Sequence, residues 1–211
     1  MANSVESRLR VRRRDTRNAD QIVKAAKRVL LRDGYGALSF AAVAKEAGVY
    51  TTAVPYYFGN RYGLITALVD SLTPKAFLDS VAEKVSHLAL GRESIDMQMQ
   101  AWREMAANPE MSQVLVELLP HVIRDSRLRE TVGMMYRSYR DYDMCLFGIP
   151  PTAAVEKVRA LASILIAVDD GLAIHGLLDP DDVDFDTCYL VLADLMDSYL
   201  ERLRSESPSL E

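Results

Sequence analysis

The stretch that decides the fold runs from Leu38 to Arg61 and reads LSFAAVAKEAGVYTTAVPYYFGNR. Ser39 is a favourable helix cap, and the apolar residues after it recur at the spacing of one helix face. Gly48 then supplies a residue that accepts a positive φ at low cost, so that two short helices can cross closely. This pattern is typical of a helix-turn-helix, which spans about 20 residues. An αα-corner in a helical enzyme has the same spacing and remains the alternative.

In a helix-turn-helix, the second helix enters the major groove of DNA. The side chains able to reach base edges or flanking phosphates come from the turn and from the helix that follows it. These residues are Tyr50, Thr51, Thr52, Ala53 and Tyr56. The stretch therefore predicts recognition of double-stranded DNA.

Charge is divided unevenly along the chain, which has 211 residues and a formal net charge of -5. Residues 1–75 carry 13 Lys+Arg and 6 Asp+Glu, a balance of +7, whereas residues 76–211 carry 12 and 24, a balance of -12. A basic module joined to an acidic one is expected when one end of a protein meets a polyanion. The charge pattern thus favours a nucleic acid as the partner of the N-terminal part.

Composition and periodicity predict a soluble, unsecreted, all-α protein. Apolar side chains make up 49% of the chain, which is enough for a sizeable core. They recur at intervals of three and four residues almost throughout, which is the spacing of a helix. No stretch has the roughly 20 uninterrupted apolar residues of a membrane helix. Cys145 and Cys188 lack a CxxC spacing, which suits a reducing cytoplasm.

Residues 38–49 and 53–61 resemble the DNA-binding domain of the tetracycline-repressor (TetR) family, and the match extends from about residue 18 to 69. The resemblance implies that Ser39 caps the second helix and touches a phosphate. It also implies that an aromatic run supplies phosphate contacts and a core anchor, and that Arg61 opens the fourth helix against the DNA backbone. The aromatic run is Tyr56, Tyr57 and Phe58.

The arginines before the match resemble family extensions that reach the adjacent minor groove or backbone. Arg12, Arg13 and Arg14 belong to this cluster, and arginine suits a narrow, strongly negative groove. We expect residues 1–17 to form a flexible basic arm, although a solvated tail without a DNA contact is an equal alternative. We expect Asn18, with Gln21 three residues later, to begin the first helix.

The last third of the chain is similar to the C-terminal region of relatives of the choline-responsive repressors. Its two helical segments, residues 160–178 and 185–203, are apolar on most of their circumference. Such helices must be buried on nearly all sides, and the simplest burial is a two-fold four-helix interface between two copies. The predicted interface residues are Leu165, Leu172, Leu192, Met196 and Tyr199. A monomer with a deep core is the alternative.

The middle of the chain is rich in methionine and tyrosine, which suit a pocket for an apolar or aromatic effector. The predicted pocket residues are Trp102, Met105, His121, Tyr136, Tyr139 and Asp169. Ordinary core filling is the alternative for each of them. Of the adjacent Asp169 and Asp170, we expect one to face solvent and the other to meet a cationic effector or a dimer contact.

Catalytic and metal-binding motifs find little support. The chain has no HExxH, GxSxG or P-loop pattern. The acidic run fits a calcium loop at Asp182, Asp184 and Asp186, but Thr187 and Ala193 replace the glycine and glutamate that the loop needs. We therefore expect no metal, no cofactor and no enzymatic activity.

These observations predict an effector-controlled, homodimeric transcriptional regulator, usually a repressor by family habit, that binds a palindromic operator until a small molecule releases it. The expected layout is a basic arm at 1–17, a helix-turn-helix domain at 18–73, an effector-binding and dimerisation domain at 74–204, and a frayed tail at 205–211. Tyr50 and Pro55 depart from the family pattern. They leave open a ligand-binding or scaffolding protein of the same fold that has lost operator binding.

Overall fold

The computed structural model of the protein describes residues 2–72, 83, 92–147 and 155–206. Within those ranges the regular elements are all helices and no strand occurs, which confirms the all-α fold. By internal packing the chain divides into two compact units. The first unit joins residues 1–73 to 114–131, and the second joins 74–113 to 132–211.

The first unit is built around its N-terminal helix. Its elements are α1 (Ala2–Asp33), a 3-10 turn (Tyr35–Ala37), α2 (Phe40–Ala47), α3 (Ala53–Phe58) and α4 (Arg61–Asp70). α1 packs on α2 and α4, and α3 packs on the same two helices. The apolar stripe of α1 is fully buried and consists of Ile22, Ala25, Ala26, Val29 and Leu30.

The first helix begins earlier than predicted. We expected residues 1–17 to be a flexible arm and Asn18 to be the helix cap, but α1 is continuous from Ala2 to Asp33. No glycine or proline occurs between those two residues, so nothing in the backbone chemistry ends the helix before Asn18. The side chains of Arg12, Arg13 and Arg14 lie outside the described part of the chain.

The turn between α2 and α3 has the predicted geometry. Gly48 adopts the left-handed region with φ 67° and ψ 33°. Ser39 caps α2, because its Oγ accepts a hydrogen bond of 3.2 Å from the backbone N–H of Ala42. Gly63, in α4, is a second position that requires glycine, because the backbone of Phe58 approaches it closely. A Cβ at position 63 would lie 2.0 Å from the carbonyl oxygen of Phe58.

The remaining elements are α5 (Arg92–Ala106), α6 (Pro109–Arg124), α7 (Ser126–Leu146), α8 (Val155–Leu178) and α9 (Phe185–Glu206). In the second unit α5 packs against both α8 and α9. α6 and α7 contribute residues to both units, so 114–131 pack with the N-terminal unit rather than with the C-terminal one. A proline in a helix interior usually breaks or kinks the helix, yet α6 continues through Pro120. The predicted domain boundary at 73/74 and the tail beyond 206 lie outside the described residues.

Among the described residues, α8 is long and apolar enough to cross a membrane by length and composition alone. Its middle carries two carboxylates, Asp169 and Asp170, both hydrogen-bonded to tyrosines. One side of α8 lies in the core of the second unit through Val158, Ala162 and Ile166. The apolar composition of α8 is thus partly explained by that core.

We predict that Gly48→Ala lowers the free energy of unfolding by about 1 kcal/mol, because an L-residue is strained at this positive φ. A Cβ at position 48 meets no atom within 4 Å, so the backbone conformation alone sets the cost. Gly36→Ala is the matched control, since Gly36 is equally open but has no positive φ. Equal denaturation midpoints for the two variants would contradict the prediction.

Candidate DNA-binding surface and buried carboxylate network

An exposed ridge follows Gly48. We define this recognition ridge as Tyr50, Thr51, Thr52 and Tyr56, all of them exposed. Tyr50 and Tyr56 are 87% and 77% exposed, which is unusual for large aromatic side chains. Ala53, also predicted to reach DNA, is half-buried at the start of α3. The ridge can therefore offer hydroxyl groups and two aromatic faces to a partner.

Side chains of α1 support the ridge from behind. The Nε2 of Gln21 donates to the carbonyl oxygen of Ala47 at 2.7 Å, next to the turn. The Nδ2 of Asn18 donates to the Oη of Tyr57 at 3.4 Å, and the Tyr57 ring meets the edge of Tyr56 at 5.0 Å between centroids. Asn18 and Gln21 therefore position the turn and α3 instead of forming the predicted capping box, and half-buried Tyr57 buttresses Tyr56.

Pro55 fits the recognition helix without breaking it. It is the third residue of α3, where a backbone N–H has no partner within the helix. Its carbonyl oxygen accepts from the N–H of Gly59 at 2.8 Å, which closes the end of α3. The missing N–H of Pro55 thus costs the helix no hydrogen bond.

Arg61 is held by an aromatic stack that the sequence pattern did not reveal. Its Nη2 donates to the carbonyl oxygen of Tyr35 at 2.8 Å, and its guanidinium lies 4.5 Å from the centroid of the Tyr35 ring. The other face of the stack is His121, whose ring lies 3.5 Å from that of Tyr35 at an angle of 14°. His121, predicted as a pocket residue, therefore belongs to the first unit, whereas the other predicted pocket residues belong to the second.

The cations of the first unit fall into two groups. Arg28 and Arg32 both pair with Glu46, at 2.7 and 2.9 Å, and these hydrogen bonds lower the pKa of Glu46. Arg17, Lys24 and Lys45 are exposed side chains. Arg61 is exposed as well, at the first residue of α4. Arg28 and Arg32 are exposed too, but both are paired with Glu46, so the other exposed cations are the ones available to an anionic partner.

The second unit contains a buried carboxylate network, which we define as Asp143, Asp169 and Asp170 with the side chains bonded to them. Asp143 of α7 is fully buried. Its Oδ1 accepts two hydrogen bonds, from Gln98 Nε2 at 2.7 Å and from Trp102 Nε1 at 3.1 Å. Its Oδ2 is buried without a hydrogen-bond partner among the described residues.

The two aspartates of α8 each accept a hydrogen bond from a tyrosine. Tyr189 of α9 donates to Oδ1 of Asp169, and Tyr136 of α7 donates to Oδ2 of Asp170 at 2.8 Å. Asp169 is 7% exposed. Asp169 is buried and Asp170 is half-buried, so of the two aspartates only Asp170 keeps contact with solvent, as expected for one of the pair, and both accept hydrogen bonds from phenols.

Burial controls the ionisation of this network. It raises the pKa of Asp143 to about 8, although the hydrogen bonds from Gln98 and Trp102 oppose the shift and the nearby Asp169 adds to it. It likewise raises the pKa of Asp169 to about 7, against the hydrogen bond from Tyr189. The pKa of Asp170 is raised for the same reason. These carboxyl groups therefore hold protons at a pH where exposed aspartates are charged.

Aromatic rings surround the network. Trp102 and Tyr139 meet edge to face at 5.4 Å between centroids, and Tyr136 lies 6.5 Å from Tyr139. The structure thus brings together four of the predicted pocket residues, namely Trp102, Tyr136, Tyr139 and Asp169. Met105 is buried on α5. Sequence reasoning missed Gln98, Asp143 and Tyr189, because isolated polar residues in a helix carry no motif.

No group of three or more His, Cys, Asp or Glu in the described part of the chain is arranged to hold a metal ion.

The structure corrects the predicted dimer contacts. Leu165 and Met196 lie in the core of their own subunit, each 1% exposed. Leu172, Leu192 and Tyr199 are half-buried. Neighbouring helix positions differ by about 100° in direction, so an error of one residue moves a side chain from the surface into the core. The exposed apolar strip, as we name it, consists of Ile164, Ile174, Leu178, Leu190, Val191 and Leu195.

We predict that the stability of the protein falls as pH rises from about 5 to about 8. A carboxyl group whose pKa is raised in the folded state resists ionisation there, whereas the unfolded chain ionises freely. The stabilisation is therefore complete at low pH and is lost by up to about 1.4 kcal/mol per pH unit for each such group. Asp143→Asn should flatten this slope, as measured by denaturation at several pH values.

The exposed Asp181 provides the matched control. Asp181→Asn removes one carboxylate from the surface and should leave the slope as in the unchanged protein. If the free energy of unfolding changed with pH equally in the unchanged protein and in the Asp143→Asn variant, Asp143 would not be a source of the pH dependence.

The helix-turn-helix geometry of the first unit agrees with the proteins to which the sequence is similar. Residues 22–68 match the family described as bacterial regulatory proteins, tetR family. Among curated proteins, the transcriptional regulator BetI of Vibrio atlanticus is 22% identical over 185 residues, covering 85% of this chain and 90% of that protein. TtgR of Pseudomonas putida is 29% identical over 189 residues, covering 78% of this chain and 82% of that regulator.

Solved structures give the same fold. FadR of Bacillus subtilis, in complex with stearoyl-CoA, superposes with a TM-score of 0.67 at 19% identity, covering 84% of this chain and 97% of that one. The matched residues 22–68 contain α2, the Gly48 turn and α3, which form the helix-turn-helix. Residues 22–68 therefore match the DNA-binding domain of the TetR family, and the chain as a whole is similar to transcriptional regulators of that family.

Proposed function

We propose that the protein is a homodimeric repressor of the cytoplasm that binds a palindromic operator and is released from it by a small-molecule effector. The observation that carries the proposal is the recognition ridge, whose two tyrosines are more than three-quarters exposed directly after the helix-turn-helix glycine. Buried Val54 anchors α3, which carries Tyr56, whereas Tyr50, Thr51 and Thr52 lie in the turn just before this helix.

The side chains around the ridge support a division between base and phosphate contacts. Thr51, Thr52 and Tyr56 stand on the second helix of the motif or just before it, the part that enters the major groove. Ser39 uses its Oγ as an acceptor for α2, which leaves its hydroxyl hydrogen for a phosphate. Arg61, fixed by Tyr35, holds a fork of donors at the start of α4, a geometry that suits a phosphate.

The exposed apolar strip supports dimerisation. Leu178, Leu190 and Leu195 are between 58% and 79% exposed on two long helices of the second unit. Large exposed apolar side chains on successive turns of one helix, as at Leu190, Val191 and Leu195 of α9, are a feature of interaction surfaces. A second copy of the chain is the simplest partner, because a two-fold axis lets α8 and α9 of each subunit form a four-helix interface.

The buried carboxylate network and its aromatic rings support the effector site. They lie inside the second unit, and the FadR of Bacillus subtilis, which has a similar fold, was solved in complex with stearoyl-CoA. α6 and α7 contribute residues to both units, so a ligand that moves either helix also acts on the DNA-binding unit. By linkage, DNA would then oppose effector binding by the same factor.

The proposal predicts an enriched palindrome when the purified protein selects from random double-stranded DNA at moderate salt. Recovery of salt-sensitive binding without any enriched sequence would instead favour a protein of this fold that has lost operator binding.

On the selected operator, Arg61→Ala should weaken binding to all sequences alike and reduce the salt slope by about one unit, because a phosphate contact carries no base information. Thr52→Ala should change the preference among operator variants. Both affinities can be measured by fluorescence anisotropy across single-base changes. A uniform loss for Thr52→Ala would place the base contacts elsewhere.

We predict that Leu195→Asp converts the dimer into a monomer in sedimentation velocity experiments, because a carboxylate cannot be buried in an apolar interface without a partner. Leu195 is 64% exposed in the subunit, so its own core is left intact. Leu195→Met keeps the apolar surface and should remain dimeric. A Leu195→Asp variant that sediments as a dimer would move the interface away from the exposed apolar strip.

A further inference from the structure

The buried carboxylate network contains no cationic side chain among the described residues. Among the described residues, the charged groups that act on the pKa values of Asp143 and Asp169 are themselves carboxylates, Asp169 and Asp170 respectively. The hydrogen-bond donors of the network are an amide, an indole and two phenols, all of them neutral. Several buried carboxyl groups without a cation are unusual, since buried charges are ordinarily paired.

Oδ2 of Asp143 lacks a hydrogen-bond donor in the described part of the chain. Gln98 and Trp102 both donate to Oδ1 of this side chain, and Oδ2 is left buried without a partner among the described residues. An unpaired buried carboxylate oxygen is costly and needs a donor. When the carboxyl group of Asp143 is ionised, Oδ2 therefore lacks an N–H or O–H donor and the network lacks a positive charge to balance it.

The surroundings suit an organic cation rather than a small metal ion. Trp102 and Tyr136 each donate a hydrogen bond to the network, and both rings contact the ring of Tyr139. Aromatic faces attract organic cations. The network also reaches the surface, because it runs from fully buried Asp143 to half-buried Asp170 and Tyr136.

We propose that the second unit binds an organic ammonium ion that carries at least one N–H, which donates to Oδ2 of Asp143 while the carboxylates of Asp143 and Asp169 balance its charge. This inference deepens the proposed function, because it names the chemical class of the effector. A neutral alcohol lacks the charge that the network requires, a quaternary ammonium ion lacks the donor, and an anion is repelled.

Trp102 allows a direct test on the full-length protein without DNA. It is the one tryptophan of the chain, and its indole nitrogen donates to Asp143. We would titrate three probes of nearly equal shape, 2-phenylethylammonium, 2-phenylethanol and trimethyl(2-phenylethyl)ammonium, and follow the fluorescence of Trp102. The primary ammonium ion should bind about tenfold or more tightly than either analogue, because a charge-assisted hydrogen bond is roughly twice as strong as a neutral one.

Asp143→Asn tests the residue that carries the proposal. It keeps the shape of the side chain and resembles the protonated acid, so the variant is expected to fold. It should reduce the affinity for 2-phenylethylammonium by about tenfold and leave 2-phenylethanol unchanged. The control variant Asp181→Asn, which loses an exposed carboxylate, should bind all three probes like the unchanged protein.

Equal affinities for the ammonium ion and the alcohol, or no response to the ammonium ion at millimolar concentration, would overturn the proposal. Tighter binding of the trimethylammonium probe would also overturn it, since that ion has no N–H. These comparisons use the unchanged protein and do not depend on the folding of a variant.

Failure of the proposed function has a different signature. Ammonium binding without any release of the selected operator would leave the cation site in place and exclude its role as the effector switch. An operator that is released only by neutral or anionic compounds, with no Trp102 response to the ammonium probe, would leave the regulator in place and remove the cation site.

Discussion

The DNA-binding unit depends on the burial of one stripe along α1. Its five members, from Ile22 to Leu30, have no exposed surface, and two of them are alanines that let α2 and α4 approach closely. Without this packing a helix as short as α3, with six residues, is not stable in water. The same helix supplies Asn18 and Gln21, which hold the ridge from behind. The stripe therefore fixes the surface that meets DNA.

The second unit follows a different principle, because its centre is polar. Asp143, Asp169 and Asp170 lie among buried aromatic and apolar side chains, where an all-apolar core would be simpler to stabilise. Burial of unpaired acids lowers stability at neutral pH, so this arrangement is expected where a ligand supplies what the core lacks. The packing of the first unit thus fixes one shape, whereas the centre of the second unit keeps Oδ2 of Asp143 buried without a hydrogen-bond partner among the described residues.

Local patterns in the sequence were sufficient for much of the first unit. Ser39, Gly48 and the apolar spacing between them predicted α2 and its turn correctly, because caps and left-handed glycines depend on neighbouring residues only. The same local reasoning failed at Asn18 and Pro120, where the pattern of a cap or a break is present but the helix continues. Tertiary packing overrides such signals. The aromatic stack of Arg61, Tyr35 and His121 joins positions far apart in the chain and leaves no local pattern.

The sequence by itself therefore determined the helical class, the helix-turn-helix and the residues of the recognition ridge, because these features follow from periodicity and from interactions over three or four residues. Only the tertiary structure decided which apolar residues of α8 and α9 remain exposed, since a step of one position turns a side chain by about 100°. It also decided which polar residues share the buried network. In the sequence 25 residues stand between Asp143 and Asp169, and only the packing of four helices brings their hydrogen-bond partners into one site.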